Sequence, residues 1–146
     1  MNGRKFIAWS TSAYESAVEL SIEYAALESG LDRFVHPNKG QFIGRDAHNQ
    51  WRERGFRNRF VTMEVHGVTD ADARGSEPIL HDGELVGRCT QGTYGWRVGK
   101  SLALGMVRPD SGEIGQELTV QILGEPYRAT VIAESPYDPE NARLRA

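Results

Sequence analysis

The clearest pattern in the chain is an alternation of apolar and polar residues in its second half. Residues 60–67 alternate in this way, and Ser101–Val107 forms another apolar run. Leu118–Leu123 and Tyr127–Ala133 are the most strand-like segments, and Gly124–Pro126 is expected to join them. When apolar residues recur at every second position, their side chains lie on one face of the strand, and the other face is polar, as in a half-buried strand. Six or seven short strands at this spacing predict a small antiparallel barrel or sandwich.

A tight hairpin is predicted at Asp82-Gly83. The apolar run Pro78–Leu80 precedes this pair and Leu85–Gly87 follows it. Asp-Gly favours a type I′ turn, because both central residues of that turn need a positive φ angle. Two further glycines, Gly92 and Gly95, predict a loop beyond the hairpin.

The signals before residue 56 are weaker. Residues 18–24 fit a strand as well as a helix, and residues 25–29 are expected to turn helically. Leu31–His36 is predicted to be extended, because the proline that follows disfavours helical backbone in the residue before it. A short surface helix is predicted over Ala47–Gly55, with Asp46 near its N-cap.

Composition narrows the class of protein. The chain has 146 residues, of which 39% are hydrophobic, and this is enough for one domain with its own hydrophobic core. A net charge of −3 gives no electrostatic basis for nucleic-acid binding. No apolar run approaches the roughly 18 residues of a membrane-spanning helix, and no cleavage signal follows the first residues. We therefore expect a cytoplasmic protein that binds neither membrane nor nucleic acid.

The sequence shows no motif for a metal or a nucleophile. Its four histidines are far apart, with no pair at i,i+4 spacing and no paired cysteine, so no metal is expected. Cys89 is the single cysteine, which excludes an intramolecular disulfide, and a strand thiol of this kind is expected to be buried and inert. The arginines between 52 and 59 are interleaved with other residue types and predict a solvated face.

Several sequence blocks occur in an order that is typical of one protein family. They are Leu27–Val35, Lys39 with Phe42–Arg45, Glu77–Val107, Gly99–Gly105 and Ser135–Pro139. From about Glu19 to Ala146, the chain resembles the C-terminal barrel domain of the folate-dependent aminomethyltransferases, which include the glycine-cleavage T-protein and the sarcosine and dimethylglycine dehydrogenases. The segments LDRFV, DGELVG and VGKSLALG are most similar to the dehydrogenase branch.

The resemblance implies a fold and a partner. The fold would be mainly β, a six- or seven-stranded antiparallel barrel over residues 37–146, after a short helical or extended segment. Residues 1–36 would be the linker from the folate-binding body that similar proteins carry before the barrel. The first 18 residues cannot supply that body, so we expect the missing N-terminal body of the same protein to be the partner.

The resemblance also implies an activity. Similar enzymes move a one-carbon unit from an amine to tetrahydrofolate, so tetrahydrofolate is the expected cofactor. The barrel would help to close the folate cavity without supplying a catalytic residue. Proximity and orientation within such a cavity do much of the catalytic work. We therefore expect no turnover by the isolated chain.

Four residues are predicted to bind the cofactor: Glu28, Arg33, Tyr94 and Arg97. Arg33 stands where similar transferases have an aromatic residue, but it could pair with the glutamate tail of folate. The alternative is a structural pairing of Arg33 with Asp32 or Glu28. Tyr94 and Arg97 belong to the segment Thr90–Arg97, which corresponds to a loop that faces the folate-binding body. The alternative for this segment is that Trp96 only covers one end of the core.

A second hypothesis is a free-standing, non-catalytic barrel that acts as a binding or assembly module. An apolar patch around Leu31, Phe34, Tyr94 and Trp96 would then be exposed and covered by self-association. Homo-oligomerisation is therefore left open as well. Light scattering separates this hypothesis from the first one.

Overall fold

The computed structural model describes residues 24–31, 34–140 and 142–143, and its main feature is a closed antiparallel barrel. The strands follow one another around the barrel in the order β1-β4-β3-β2-β5-β6, and β6 pairs with β1 to complete the circle. The predicted mainly β barrel is therefore confirmed, with six strands. Their bounds are β1 Arg59–Val65, β2 Pro78–His81, β3 Glu84–Gly95, β4 Lys100–Val107, β5 Glu117–Ile122 and β6 Glu125–Ile132.

The hydrophobic core fills the inside of the barrel. Val61, Met63 and Val65 of β1 are buried there, as the alternating pattern predicts. Every residue from Ser101 to Val107 in β4 is buried, so this strand is covered on both faces. Gly105 in β4 has no side chain to accommodate, and a Cβ atom at that position would lie 2.6 Å from Cδ1 of Ile79. A larger residue at this point would therefore have to displace the side chain of Ile79.

Two tight turns connect neighbouring strands. The hairpin predicted at Asp82-Gly83 is confirmed, because both residues have positive φ angles of 51° and 83°. The connection predicted at Gly124–Pro126 lies one or two residues too late in the sequence. The turn consists of Leu123 and Gly124, with φ angles of 52° and 89°, and β6 already begins at Glu125.

Strand β3 is longer than its sequence predicts. The segment Thr90–Arg97, which we expected to be a loop, remains in β3 as far as Gly95. A Cβ atom at Gly92 would lie 2.6 Å from the carbonyl oxygen of Ala73, and one at Gly95 would lie 2.8 Å from Cγ2 of Val98. These glycines therefore permit close packing within a strand. The true turn between β3 and β4 spans residues 96–99.

Helix α1 spans Arg45–Arg54 and ends at Gly55, as predicted, where φ is 81°. Its N-cap is Gly44 rather than a residue near Asp46, and Asp46 lies in the first turn. An acidic side chain there is favourable because it faces the positive end of the helix dipole. The helix has no buried residues, which confirms the prediction of a surface helix.

The segment before α1 is described only in part. Residues 25–29 form the predicted helical turn, which closes with a hydrogen bond of 3.1 Å from the amide of Ser29 to the carbonyl of Ala25. Most of the strand considered at residues 18–24 lies outside the described residues, and so do Asp32 and Arg33. A short 3-10 turn at Pro37–Lys39 follows, and a second one at Pro109–Ser111 lies between β4 and β5. Within the described ranges, no helix is long and apolar enough to cross a membrane.

Candidate functional site

Three connections meet at one end of the barrel, which we call the turn end. They are the β1–β2 loop (66–77), the β3–β4 turn (96–99) and the β5–β6 turn (123–124). Neighbouring strands are antiparallel all around the barrel, so β1, β3 and β5 all end there. Side chains from distant parts of the sequence therefore share this surface.

An aromatic pair protrudes from the turn end. The rings of Tyr94 and Trp96 have centroids 4.9 Å apart and meet edge to face at 76°. Trp96 is 87% exposed and Tyr94 is 38% exposed. Edge-to-face contact orients the two rings relative to each other. Aromatic side chains of this kind, exposed on a rigid scaffold, are typical of binding surfaces.

The aromatic pair and the β1–β2 loop line an open surface cavity of about 330 Å³. Its wall includes residues 68–72 of the loop, among them Asp70 and Asp72. The Ser101 hydroxyl donates a hydrogen bond of 2.5 Å to Asp72, which fixes that carboxylate against the start of β4. Sequence reasoning missed both acids. Their only signal was a loop of charged and small residues after β1.

Arg97 joins the β3–β4 turn to the C-terminal segment. Its Nη1 lies 3.3 Å from the hydroxyl oxygen of Tyr137, and its Cζ lies 5.5 Å from the Tyr137 ring centroid. Arg143 contacts the same ring at 5.4 Å and donates to the same hydroxyl at 2.9 Å. Cation–π contacts and hydrogen bonds therefore tie together two segments that are forty residues apart.

Glu28 is buried and occupies a different part of the molecule. Its Oε1 accepts hydrogen bonds from the amides of Arg57 and Asn58 at 2.8 and 2.9 Å, and its Oε2 accepts one from the amide of Ala25 at 3.0 Å. The carbonyl of Glu28 also accepts a bond from the amide of Phe60 at the start of β1. Both carboxylate oxygens are thus occupied by backbone donors, which gives Glu28 a clear structural role.

The predicted site residues do not all come together. Tyr94 and Arg97 lie close to each other at the turn end, whereas Glu28 lies beside the opposite end of β1. Arg33 lies outside the described residues. Binding of a cofactor by any of these residues remains a prediction.

The thiol of Cys89 is buried, as expected. Burial, together with the nearby charge of Glu77, raises the pKa of this thiol to about 12. The thiolate is the nucleophilic and metal-binding form, so Cys89 is inert at neutral pH. Over the described ranges, no three His, Cys, Asp or Glu side chains are grouped so that they could hold a metal ion.

A charged pair lies at the end opposite the turn end. Nη1 of Arg108 donates a hydrogen bond of 2.7 Å to Oε1 of Glu84. This bond, and the charge of Arg108, lower the pKa of the Glu84 carboxyl. Both side chains are largely exposed, so the pair contributes little to stability.

Comparison with known proteins identifies relatives of the whole barrel. A family model described as the glycine cleavage T-protein C-terminal barrel domain matches residues 58–138. Dimethylglycine dehydrogenase of Mus musculus, a mitochondrial protein, is 36% identical over 143 residues, which cover 97% of this chain. An aminomethyltransferase of Synechocystis is 36% identical over 123 residues, or 84% of this chain.

A solved structure shows the same fold. The glycine cleavage system aminomethyltransferase T of Bartonella henselae superimposes with a TM-score of 0.68 over 79% of this chain, at 20% sequence identity. The chain corresponds to 34% of that protein, 32% of the Synechocystis protein and 16% of the mouse protein. It is therefore similar to one part of larger proteins.

Proposed function

Because the chain belongs to the family of glycine cleavage T-protein C-terminal barrel domains, we propose that it closes the tetrahydrofolate cavity of an aminomethyltransferase or dimethylglycine dehydrogenase-like protein. Such a protein transfers a one-carbon unit from an amine to tetrahydrofolate. Residues 37–146 would be the closing barrel and residues 1–36 the link to a folate-binding body. That body would supply the catalytic group.

The observation that carries this proposal is the extent of the family match. Residues 58–138 include all six strands, from the start of β1 to the end of β6. The match therefore covers the complete barrel. A dehydrogenase and an aminomethyltransferase both appear among the relatives, and they match 97% and 84% of this chain.

The residues at the turn end are suited to part of a folate molecule. The guanidinium of Arg97 contacts Tyr137 through Nη1 and retains other N–H groups that can bind a carboxylate, and Tyr94 offers an exposed ring for an aromatic group. Glu28 is less suited, because its two oxygens already accept three backbone bonds. Tetrahydrofolate, when bound, would supply the acceptor for the one-carbon unit. In this proposal Tyr94 and Arg97 orient the bound molecule and help to exclude water.

The cavities at the turn end are open to solvent. The two that the β1–β2 loop lines measure about 330 and 500 Å³ and lie at the surface. A ligand site usually buries most of the surface of its ligand, whereas an open cavity leaves one side of a bound folate exposed. We therefore propose that a folate-binding body covers the turn end and that the cavity is complete only in the assembled protein.

A domain exchange tests the proposal. The barrel of the Synechocystis aminomethyltransferase would be replaced by residues 37–146 of this chain, and folate-dependent transfer would be measured. We expect the chimera to retain transfer, and we expect the Synechocystis protein without any barrel to lose it. Arg97→Gln in the chimera should raise the KM for tetrahydrofolate by about tenfold, because a charged hydrogen bond is lost.

The control is a chimera with Arg128→Gln, since Arg128 is an exposed arginine on β6. Its KM for tetrahydrofolate should be unchanged. A well-folded chimera without transfer would refute the closing role. Calorimetric titration of the isolated chain with 5-formyltetrahydrofolate completes the test, and saturation at micromolar ligand would show that the barrel binds folate without a second wall.

A second candidate function is a non-catalytic assembly module. The exposure of Trp96 and of Phe34, which is 55% exposed, favours it, because large apolar side chains at a surface often mark interaction sites. Light scattering of the purified chain tests this reading. A dimer that Trp96→Ala dissociates would support it, whereas a strict monomer at high concentration would contradict it.

A further inference from the structure

We infer that the cavity between the aromatic pair and the β1–β2 loop receives an arginine side chain from the protein that docks on the turn end. The inference rests on the proposed function only in naming the folate-binding body as that docking protein. Its evidence is the chemistry of Tyr94, Trp96, Asp70 and Asp72, which line one cavity of about 330 Å³.

The cavity combines aromatic rings with negative charge. Trp96 is the most exposed aromatic residue among the large exposed apolar side chains. Asp72 is held in place by the Ser101 hydroxyl, so its carboxylate is oriented before a ligand arrives. An aromatic face attracts a cation through its quadrupole, and a neighbouring carboxylate adds Coulomb attraction. These groups favour a positively charged occupant over a neutral or an anionic one.

The nearby cations of the chain are engaged elsewhere. Lys100 forms an ion pair of 2.6 Å with Glu64, and Arg97 contacts Tyr137. Within the described ranges, none of the ion pairs shorter than 4 Å includes Asp70 or Asp72. The two carboxylates therefore lack a counter-charge from this part of the chain, and a docking protein can supply one.

An arginine fits these groups better than a lysine. The guanidinium is planar, so it can stack on the indole of Trp96 and donate to a carboxylate in the same plane. It also loses less hydration than an ammonium group when it leaves water. The cavity lies beside the exposed rings of Tyr94 and Trp96. Arginine is enriched among the residues that contribute most to binding at protein–protein interfaces.

A small probe tests the cavity without the docking protein. The 15N-labelled full chain would be titrated with N-acetyl-arginine amide, and the indole N–H signal of Trp96 would be followed by NMR after assignment with Trp96→Phe. We expect a saturable shift with a dissociation constant of about 1–10 mM, as for one isolated side chain. The uncharged isostere N-acetyl-citrulline amide should produce no saturable shift.

Matched variants assign the binding to the cavity. The double variant Asp70→Asn, Asp72→Asn keeps the shape of both side chains and should weaken arginine binding by about tenfold. Asp82→Asn removes one exposed charge at the opposite end of the barrel, where asparagine also suits the type I′ turn, so binding should be unchanged. Equal binding of citrulline and arginine, or an unaffected double variant, would overturn the inference.

The chimera separates this inference from the proposed function. If the chimera transfers the one-carbon unit equally well with the Asp70→Asn, Asp72→Asn pair, the cavity does not contribute to docking and the inference fails while the proposed function holds. If the chimera is inactive but the probe binds, the proposed function fails and the cavity remains a site for an arginine of another protein.

Discussion

Replacement of Glu28 should destabilise the chain more than any exposed acid does. Glu28 is 1% exposed, and its carboxylate accepts three backbone hydrogen bonds, from Ala25, Arg57 and Asn58. It thereby ties the segment before the helix to the residues that lead into β1. In Glu28→Ala these three donors lose their acceptor and no side chain replaces it.

The magnitude follows from the number of donors. Each buried donor left without a partner costs about 1–3 kcal/mol, and water entering the vacated space recovers part of this. We expect Glu28→Ala to lower the free energy of unfolding by about 3–5 kcal/mol. Glu28→Gln should cost about 1–2 kcal/mol, because the amide keeps one acceptor oxygen but turns its NH2 group toward a backbone donor. The total free energy of unfolding of a protein domain is only about 5–15 kcal/mol, so the loss expected for Glu28→Ala is a large part of it.

Urea unfolding followed by circular dichroism measures this difference, and the amide hydrogen exchange of Arg57 and Asn58 detects a local loss. Glu113→Ala is the control, since Glu113 is exposed in the loop before β5. Suppose that the free energy of unfolding of Glu28→Ala lies within about 0.5 kcal/mol of that of the parent chain and that both amides remain protected. The structural role assigned to Glu28 would then be refuted. A loss of folate affinity at unchanged stability would instead support the predicted role in cofactor binding.

Three further predictions concern the core, the thiol and one ion pair. Gly105→Ala should destabilise the barrel by about 1–3 kcal/mol through overpacking, and Ile79→Val should reduce that cost in a double-mutant cycle because it removes the Cδ1 atom nearest to the new methyl group. Cys89 should not react with a thiol reagent at pH 8 unless urea is present. The free energy of unfolding should fall between about pH 9 and 12, because in this range the thiol is deprotonated in the unfolded chain and still protonated in the folded one. Arg108→Gln should raise the pKa of Glu84 toward its ordinary value in a carboxyl NMR titration. Through this pair Glu84 stabilises the fold above its unfolded pKa and loses that contribution as the pH falls through its lower folded pKa.

Local patterns predicted most of the strands because their causes are local. The Asp82-Gly83 turn needs two positive φ angles, and the Asp-Gly pair predicts it because both residue types are favoured at these positions. Leu123 also has a positive φ, of 52°, but leucine gives no such signal, so the sequence predicts the second turn one or two residues too late. The sequence alone predicts loop residues at Gly92 and Gly95, because the backbone atoms that require glycine at Gly92, such as the Ala73 carbonyl oxygen, come from elsewhere in the chain.

The candidate site was predictable in part for the same reason. Tyr94 and Arg97 stood out as an aromatic and a charged residue among glycines, and the structure shows them at the surface. The acids Asp70 and Asp72 could not be associated with Tyr94 from the sequence, because only barrel closure brings the β1–β2 loop beside the end of β3. The contacts of Glu28 with Arg57 and Asn58 are also long-range, since these partners lie 29 and 30 residues away in the sequence.

Closure of the barrel determines how another protein can bind to it. Each of the six strands has two hydrogen-bonded neighbours, so no strand offers a complete free edge to which a partner could add a strand. We therefore expect a docking protein to bind mainly through side chains. At the turn end these are one exposed aromatic pair, Tyr94 and Trp96, and two carboxylates beside it. With so few anchors, most of the docking energy should depend on these residues, and substitutions there should affect assembly far more than they affect the stability of the barrel.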